Sequence, residues 1–195
     1  MGSRQIRLHL FRHPAPLVAP GICYGQTDLP VMPQAAQQLA QRISRQFPST
    51  LPVYSSPLQR CLDVAKLCHA VPRSDTRLME MHFGSWEMQA WDQIPVADTG
   101  DWANDLSHYR PGGGESLLML IARLRSFLTD LQKEQGDEAI LVCHGGVIRV
   151  LSQWITGGSD LQIAQRMERE WQTLQTVPYG AYSFAGIDTG PDDAP

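Results

Sequence analysis

The sequence predicts an α/β fold, a three-layer sandwich in which helices flank a mostly parallel central sheet. Two observations predict it. Short apolar segments with strand periodicity alternate with amphipathic helical segments along the chain. Residues 139–143 also form a continuous apolar run, which is typical of a central parallel strand buried on both faces. Because the 195 residues contain no internal repeat and no linker, we expect a single domain over residues 1–195.

The composition limits the class of function. With 43% hydrophobic and 18% charged residues the chain is typical of a globular protein, and no stretch approaches the ~20 apolar residues of a membrane span. A formal net charge of −4 argues against sequence-independent nucleic-acid binding. No signal peptide is visible, and the 4 cysteines lack C-x-x-C spacing. We therefore expect a cytoplasmic protein with free cysteines, no nucleic-acid partner and no membrane association.

The N-terminal part predicts a strand, a loop and a helix. Apolar and polar residues alternate over residues 6–13, which predicts a half-buried strand that ends at Arg12 and His13. Residues 14–31 are rich in proline and glycine and predict a long loop, and long ordered loops are often functional. A helix over residues 33–47 follows.

The next segment predicts a strand, a helix and an edge strand. Residues 51–54 form the strand, and Ser56 followed by Pro57 predicts an N-cap and a first-turn proline. Arg60 then lies in the first turn of the helix, away from the apolar face. A cation there opposes the helix dipole and favours an anionic partner, and a solvated arginine is the alternative. Residues 77–79 are predicted as a short edge strand.

Residues 84–114 show weak periodicity and are rich in Trp, Asp and Gly. A segment of this length without regular elements is unusual in a compact domain unless it covers a site. Trp86, Trp91 and Trp102 supply enough apolar mass for a packed segment. The sequence therefore predicts a lid-like insertion here.

The C-terminal half contains the strongest helical pattern. Apolar residues line one face from Leu117 to Leu131, and Gly136 is the predicted C-terminal cap. The apolar run of residues 139–143 then ends at His144. The remaining predicted elements are a helix over 147–155, a helix over about 160–171, a strand over 181–187 and a tail over 188–195.

Two of the predicted strands end in a histidine, and the carboxyl ends of parallel strands meet at one edge of a sheet. His13 and His144 should therefore lie together with Arg12 and Arg60, in a pocket suited to a phosphate group. Guanidinium groups offer forked donors to phosphate oxygens. One imidazole can attack phosphorus while the other, protonated, stabilises the charge on the equatorial oxygens.

Four motifs in order resemble the histidine phosphatase superfamily, which has the phosphoglycerate-mutase-like fold. They are Leu10-Phe11-Arg12-His13, Ser55-Ser56-Pro57-Leu58-Gln59-Arg60, the segment 78–87 and His144-Gly145-Gly146. The resemblance implies that His13 is a nucleophile that becomes phosphohistidine. It also implies that Glu80 donates a proton to the leaving oxygen and later activates water. The side chains implied to bind the phosphoryl group are Arg12, Arg60 and His144. No metal and no cofactor are implied.

Residues 13–30 and 110–116 resemble the α-ribazole phosphatases of cobalamin biosynthesis. This resemblance implies α-ribazole 5′-phosphate, or a phosphorylated cobamide, as the small-molecule substrate. Tyr24, Gln26 and Gly145 would then join the substrate-binding residues. Gln26 stands where an arginine is common in those enzymes. Pro14 stands where the superfamily usually has glycine, so a backbone N–H that could bind phosphate is missing.

Other functions remain open. Within the same fold, the alternatives are a broad-specificity sugar-phosphate phosphatase and a phosphoglycerate mutase-like enzyme, the latter disfavoured by the short chain. A catalytically silent protein that binds a phosphorylated partner is disfavoured because His13 and Glu80 are both present. A metal-dependent hydrolase is disfavoured because no residue pair has ligand spacing on a helix. We expect a monomer or homodimer. The histidines predicted to have no catalytic role are His9, His69, His82 and His108.

Overall fold

A computed structural model describes residues 5–134, 136–154, 157–170 and 176–188. The strands are β1 (Gln5–Arg12), β2 (Val53–Ser55), β3 (Arg73–Ser74), β4 (Glu138–Cys143) and β5 (Tyr182–Asp188). They form one sheet in the order β3-β2-β4-β1-β5. The β3-β2, β2-β4 and β4-β1 pairs are parallel, and β5 runs antiparallel to β1. The predicted mostly parallel sheet is confirmed.

Helices cover both faces of this sheet. The helices that the described residues form are α1 (Pro33–Gln46), α2 (Gln59–Cys68), α3 (Val96–Asn104), α4 (Leu117–Lys133), α5 (Gly145–Gln153) and α6 (Asp160–Glu170). Leu141 packs into the core that α4, α5 and α6 share, whereas its neighbours Ile140 and Val142 pack into the core under α1 and α2. Because successive side chains of a strand point to opposite faces, β4 is buried on both sides. This arrangement confirms the three-layer sandwich.

Two local predictions were wrong. The helix after β2 begins at Gln59 rather than at Pro57, because the Ser56 hydroxyl accepts the N–H of Leu58 at 3.3 Å and closes a turn before the helix. No strand forms over residues 77–79, because the Asp75 side chain accepts the N–H of Arg77 at 2.8 Å and starts a 3₁₀ turn over Thr76–Leu78. The edge strand is instead β3.

The predicted ends of three helices either differ from the structure or lie outside the described residues. The helix α4 ends at Lys133, and the residue that follows it, Glu134, is extended, so Gly136 does not cap the helix directly. The predicted ends at Ile155 and Trp171 lie outside the described residues, as does the tail after residue 188.

The segment of residues 84–114 is packed and partly helical. It contains α3, which the sequence did not predict because this helix has no apolar stripe and no buried residue. Trp86 is 4% exposed, and the rings of Trp91 and Trp102 are stacked with their centroids 6.1 Å apart. The aromatic side chains therefore form a small core of their own, which also includes Cys23 and Ile94.

The cysteines are free, as predicted, and three of the four are buried. Within the described ranges, no helix combines the length and the apolar character that a bilayer crossing requires.

Candidate active site

His13 and His144 come together because β1 and β4 end side by side. The register pairs Arg12 with Cys143, so the next residue of each strand leaves the same edge of the sheet. The backbone N–H of His13 donates to the Cys143 carbonyl at 3.1 Å, and the two imidazole centroids lie 5.0 Å apart. Both side chains are buried. The structure thus brings the two predicted histidines together.

The His13 ring is held by the residue that follows it. Its Nδ1 lies 2.6 Å from the carbonyl oxygen of Pro14, which can only accept a hydrogen bond. The proton of a neutral ring is therefore on Nδ1, and Nε2 keeps its lone pair. Burial lowers the pKa of His13 to about 3, and the positive charges of Arg60 and Arg12 act in the same direction. Pro14 lacks an N–H but supplies this carbonyl.

His144 shares the same environment. Burial lowers the pKa of this imidazole well below its usual range, and the nearby His13 and Arg60 add to the shift. Burial favours the neutral form of both imidazoles, which differs from the expectation that one of them is protonated. A phosphate dianion bound between them would oppose this shift by its negative charge.

Arg60 is fully buried rather than solvated. Its Nη1 donates to the carbonyl of Thr27 at 2.8 Å and its Nη2 to the carbonyl of Gly25 at 2.5 Å. Its Nε is buried and has no hydrogen-bond partner within the described part of the chain. Because an unsatisfied buried donor is costly, such a group is suited to an anionic ligand.

Arg12 lies near His13 and lines the same cavity. Its Nη1 donates to the carbonyl of Val177, and its guanidinium lies 4.0 Å from the ring centroid of Tyr179. The Nε of Arg12 is also buried without a hydrogen-bond partner among the described residues. A Cβ on Gly145 would approach this guanidinium to 3.4 Å, which places Gly145 beside it.

Glu80 is fixed by backbone groups. Its Oε2 accepts the N–H of Gly146 at 3.0 Å, in the first turn of α5, and its Oε1 accepts the N–H of Met81 at 3.1 Å. A Cβ at position 146 would lie 2.4 Å from Oε1, so this approach requires glycine. The Glu80 carbonyl accepts from the side chains of Gln26 and Arg123, each at 3.0 Å.

A cavity of about 720 Å³ opens onto these groups. Of the predicted site residues, Arg12, His13, Tyr24, Glu80 and Gly145 line it. The other three, Arg60, His144 and Gln26, are not part of this lining: the first two are fully buried, and the amide of Gln26 is bonded to the Glu80 carbonyl.

Two further residues of the cavity wall were not predicted. Tyr179 lies in the turn before β5 and shares a hydrogen bond of 2.5 Å with the hydroxyl of Tyr24. Arg149 lies one helical turn after Gly145 on α5 and lines the cavity. The spacing of Arg149 after Gly145 was visible in the sequence, whereas nothing local marks Tyr179.

No group of three or more His, Cys, Asp or Glu side chains within the described ranges is arranged to hold a metal ion. His9 donates and accepts within a structural network instead, with Nε2 at 2.6 Å from Glu138 and Nδ1 at 2.9 Å from the Tyr182 hydroxyl.

The chain matches a known protein family over most of its length. The model of the histidine phosphatase superfamily (branch 1) matches residues 8–184, which include His13, Glu80 and His144. The chain belongs to the histidine phosphatase superfamily. The fold resemblance inferred from the four motifs is confirmed at this level.

Relatives within the histidine phosphatase superfamily are of moderate similarity. The glucosyl-3-phosphoglycerate phosphatase of Mycobacterium tuberculosis (strain CDC 1551 / Oshkosh) is 36% identical over 116 residues, which are 51% of this chain and 52% of that protein. The metal-independent phosphoserine phosphatase of Arabidopsis thaliana is 31% identical over 134 residues, 64% of this chain and 56% of the relative. The chain thus spans about half the length of these curated relatives.

A solved histidine phosphatase structure matches nearly the whole chain. The native structure of a mycobacterial glucosyl-3-phosphoglycerate phosphatase superposes with a TM-score of 0.74 and 26% sequence identity, covering 93% of this chain and 90% of the other.

Proposed function

We propose that this protein is a phosphomonoesterase that hydrolyses its substrate through a phosphohistidine intermediate. The observation that carries the proposal is the state of the His13 ring. Its Nδ1 is bonded to the Pro14 carbonyl, and its low pKa leaves Nε2 unprotonated at neutral pH. A buried neutral imidazole beside Arg12 and Arg60 is suited to attack an anionic phosphorus centre.

In the first half of the reaction, the Nε2 lone pair of His13 forms a bond to phosphorus, and the bond between phosphorus and the leaving oxygen breaks. Glu80 in its protonated form donates its proton to that oxygen. Arg12, Arg60 and His144 stabilise the equatorial oxygens of the transferring group. The buried Nε donors of the two arginines support this role.

In the second half, the Glu80 carboxylate removes a proton from water. The water oxygen attacks phosphorus, the bond between nitrogen and phosphorus breaks, and His13 returns to its neutral form. Inorganic phosphate leaves, and Glu80 is protonated again for the next turnover. The N–H groups of Gly146 and Met81 hold the carboxylate in place for both transfers.

The cavity wall favours a substrate with a flat apolar group. Apart from His13, Glu80, Arg12 and Arg149 the lining is mostly apolar and aromatic, and includes Trp102, Leu117 and Met167. The finer proposal is therefore α-ribazole 5′-phosphate, the substrate implied by the loop motifs. The two curated relatives compared above are named for other phosphate esters.

One observation favours a second substrate class. Arg149 adds a cation to the cavity wall next to the positions of Arg12 and Glu80. A guanidinium at that place could bind a carboxylate of the substrate. The substrates in the names of the two curated relatives, a phosphoglycerate ester and phosphoserine, both carry one.

A comparison of kcat/KM tests the proposal. The panel is p-nitrophenyl phosphate, α-ribazole 5′-phosphate, phosphoserine, 3-phosphoglycerate and glucose 6-phosphate. A strong preference for the ribazole ester supports the finer proposal. A preference for phosphoserine and 3-phosphoglycerate supports a substrate that carries a carboxylate. A flat profile would support a broad-specificity phosphatase, and absence of turnover would contradict the proposed function.

Treatment with EDTA separates this mechanism from metal-dependent hydrolysis. The proposed reaction needs no metal, so turnover of p-nitrophenyl phosphate should survive EDTA. Loss of activity that zinc or magnesium restores would contradict the mechanism.

A further inference from the structure

The carboxylate of Glu87 is held by an unusual number of donors. Its Oε1 accepts the N–H of Gln26 at 2.9 Å and of Phe83 at 3.1 Å. Its Oε2 accepts the N–H of Gly25 at 3.1 Å and of Thr27 at 2.9 Å, and also the Thr27 hydroxyl. Successive backbone N–H groups that converge in this way form an anion site, and here a side chain of the protein occupies it.

The same loop of residues 25–27 holds Arg60 from its opposite side. The carbonyls of Gly25 and Thr27 accept from Nη2 and Nη1 of Arg60. Carbonyl groups orient a guanidinium without neutralising it. The charge of Arg60 therefore remains available, and it lowers the pKa of both His13 and His144.

The loop also touches the segment that carries Glu80. A Cβ on Gly25 would lie 1.8 Å from the Met81 carbonyl, so glycine is required for this contact. The Gln26 side chain donates to the Glu80 carbonyl at 3.0 Å. A displacement of the loop would therefore move Arg60 directly and Glu80 through Gln26.

We propose that Glu87 is the positioning residue of Arg60, because its carboxylate fixes the loop whose carbonyls aim the guanidinium at the phosphoryl site. This inference rests on the proposed function. Glu87 lies outside the cavity lining, so we expect no direct contact between its side chain and a substrate. Its effect passes through the backbone of residues 25–27. Its loss should weaken the binding of a phosphoryl group more than it weakens the fold.

The test compares Glu87→Gln with wild type. The amide keeps the size of the side chain but removes the charge and turns one acceptor into a donor. The affinity for inorganic phosphate and for orthovanadate, and kcat/KM for p-nitrophenyl phosphate, should each fall roughly 10- to 100-fold. Unchanged phosphate and vanadate affinity would overturn the proposal.

Glu168→Gln is the matched control. Glu168 also accepts a backbone N–H and a hydroxyl, both from Ser107, at a place with no contact to Arg60. This variant should keep the wild-type affinity for vanadate. An equal loss in the two variants would show a general effect on the fold and would overturn the proposal.

A double-mutant cycle with Arg60→Ala shows whether Glu87 acts through Arg60. In the Arg60→Ala background, Glu87→Gln should change vanadate affinity less than twofold, because the guanidinium that Glu87 is proposed to position is already absent. Additive losses would contradict the inference. If Glu87→Gln does not fold, Thr27→Val removes the hydroxyl donor alone and should lower vanadate affinity in the same direction; no change would overturn the proposal.

These measurements distinguish a failure of this inference from a failure of the proposed function. If the wild type hydrolyses phosphate esters and the Glu87→Gln variant is unaffected, the proposed phosphatase function stands and the proposed role of Glu87 is contradicted. Absence of wild-type hydrolysis would remove the proposed function, whereas the phosphate-binding measurements would still show whether Glu87 positions Arg60.

Discussion

Gly146 donates its backbone N–H to the Glu80 carboxylate at 3.0 Å. The N-terminal turn of α5 thereby holds the proposed proton donor, and the same helix follows directly from His144. Helix N-termini stabilise carboxylates through their unpaired N–H groups and the helix dipole. One structural element thus positions two of the proposed site residues.

Gly146→Ala should lower kcat, because the new Cβ would lie 2.4 Å from Oε1 of Glu80 and displace the carboxylate. We expect a loss of about 10- to 100-fold, and a larger one for phenyl phosphate than for p-nitrophenyl phosphate, whose leaving group needs less help from an acid. Gly100→Ala is the control, since a Cβ there meets nothing within 4 Å. Wild-type kcat in Gly146→Ala would contradict the placement of Glu80.

The stability should depend on pH through the two buried histidines. His13 has a pKa of about 3 in the folded protein, and an unfolded histidine titrates near 6.5. Between these values the unfolded chain binds a proton that the folded protein does not, so the free energy of unfolding falls as the pH falls below about 6.5. Well below pH 6.5 the slope approaches about 1.4 kcal/mol per pH unit for each such histidine, and its average between pH 7.5 and 5.5 is about 0.7 kcal/mol per pH unit.

Urea unfolding at pH 7.5 and 5.5 measures this slope. His13→Gln should reduce it by removing one of the two contributions. His108→Gln, at a side chain that is 67% exposed, should leave most of it in place. An equal slope in wild type and His13→Gln would contradict burial of a neutral His13.

In the aromatic cluster of the 84–114 segment, two tryptophans should contribute differently to the free energy of unfolding. Trp86 is 4% exposed, whereas Trp91 is 39% exposed. Trp86→Ala should lower the free energy of unfolding by about 3–5 kcal/mol, and Trp91→Ala by clearly less. Urea unfolding monitored by circular dichroism compares the two variants. Equal losses would contradict the packing described for this segment.

Arg149 should determine selectivity if a carboxylate-bearing ester is the substrate. Arg149→Met then lowers kcat/KM for phosphoserine by about tenfold or more, because it removes a charge-assisted hydrogen bond. The value for p-nitrophenyl phosphate, which lacks a carboxylate, should change little. A uniform loss for both substrates would contradict a role in recognising the carboxylate.

The sequence predicted the parts of the fold that depend on local pattern. The apolar run of β4 and the alternating residues of β1 fixed the two strands that bring His13 and His144 together, because sheet geometry follows from such patterns. Membership of the superfamily could likewise be inferred from short motifs. The helix α3 was missed because none of its nine residues is fully buried, so its sequence shows no apolar stripe with helical periodicity.

The details of the site could not be predicted because they depend on contacts between distant loops. Arg60 is buried only because the carbonyls of Gly25 and Thr27 surround its guanidinium. The path of that loop depends in turn on Glu87, which lies about sixty residues away in the chain. Local patterns carry no information on such pairings, and the position of Arg60 in the first helical turn left a solvated arginine as the alternative.

The identity of the phosphorylated residue tests the phosphohistidine mechanism directly. Wild type is mixed with ³²P-labelled substrate, quenched in alkali within the first turnover, and digested to locate the label. The account predicts an alkali-stable, acid-labile phosphoryl group on His13. It also predicts that His13→Ala loses both the label and the turnover of p-nitrophenyl phosphate while its circular dichroism spectrum stays that of the folded protein. Turnover by His13→Ala, or a label on any other residue, would contradict the role of His13 as the nucleophile.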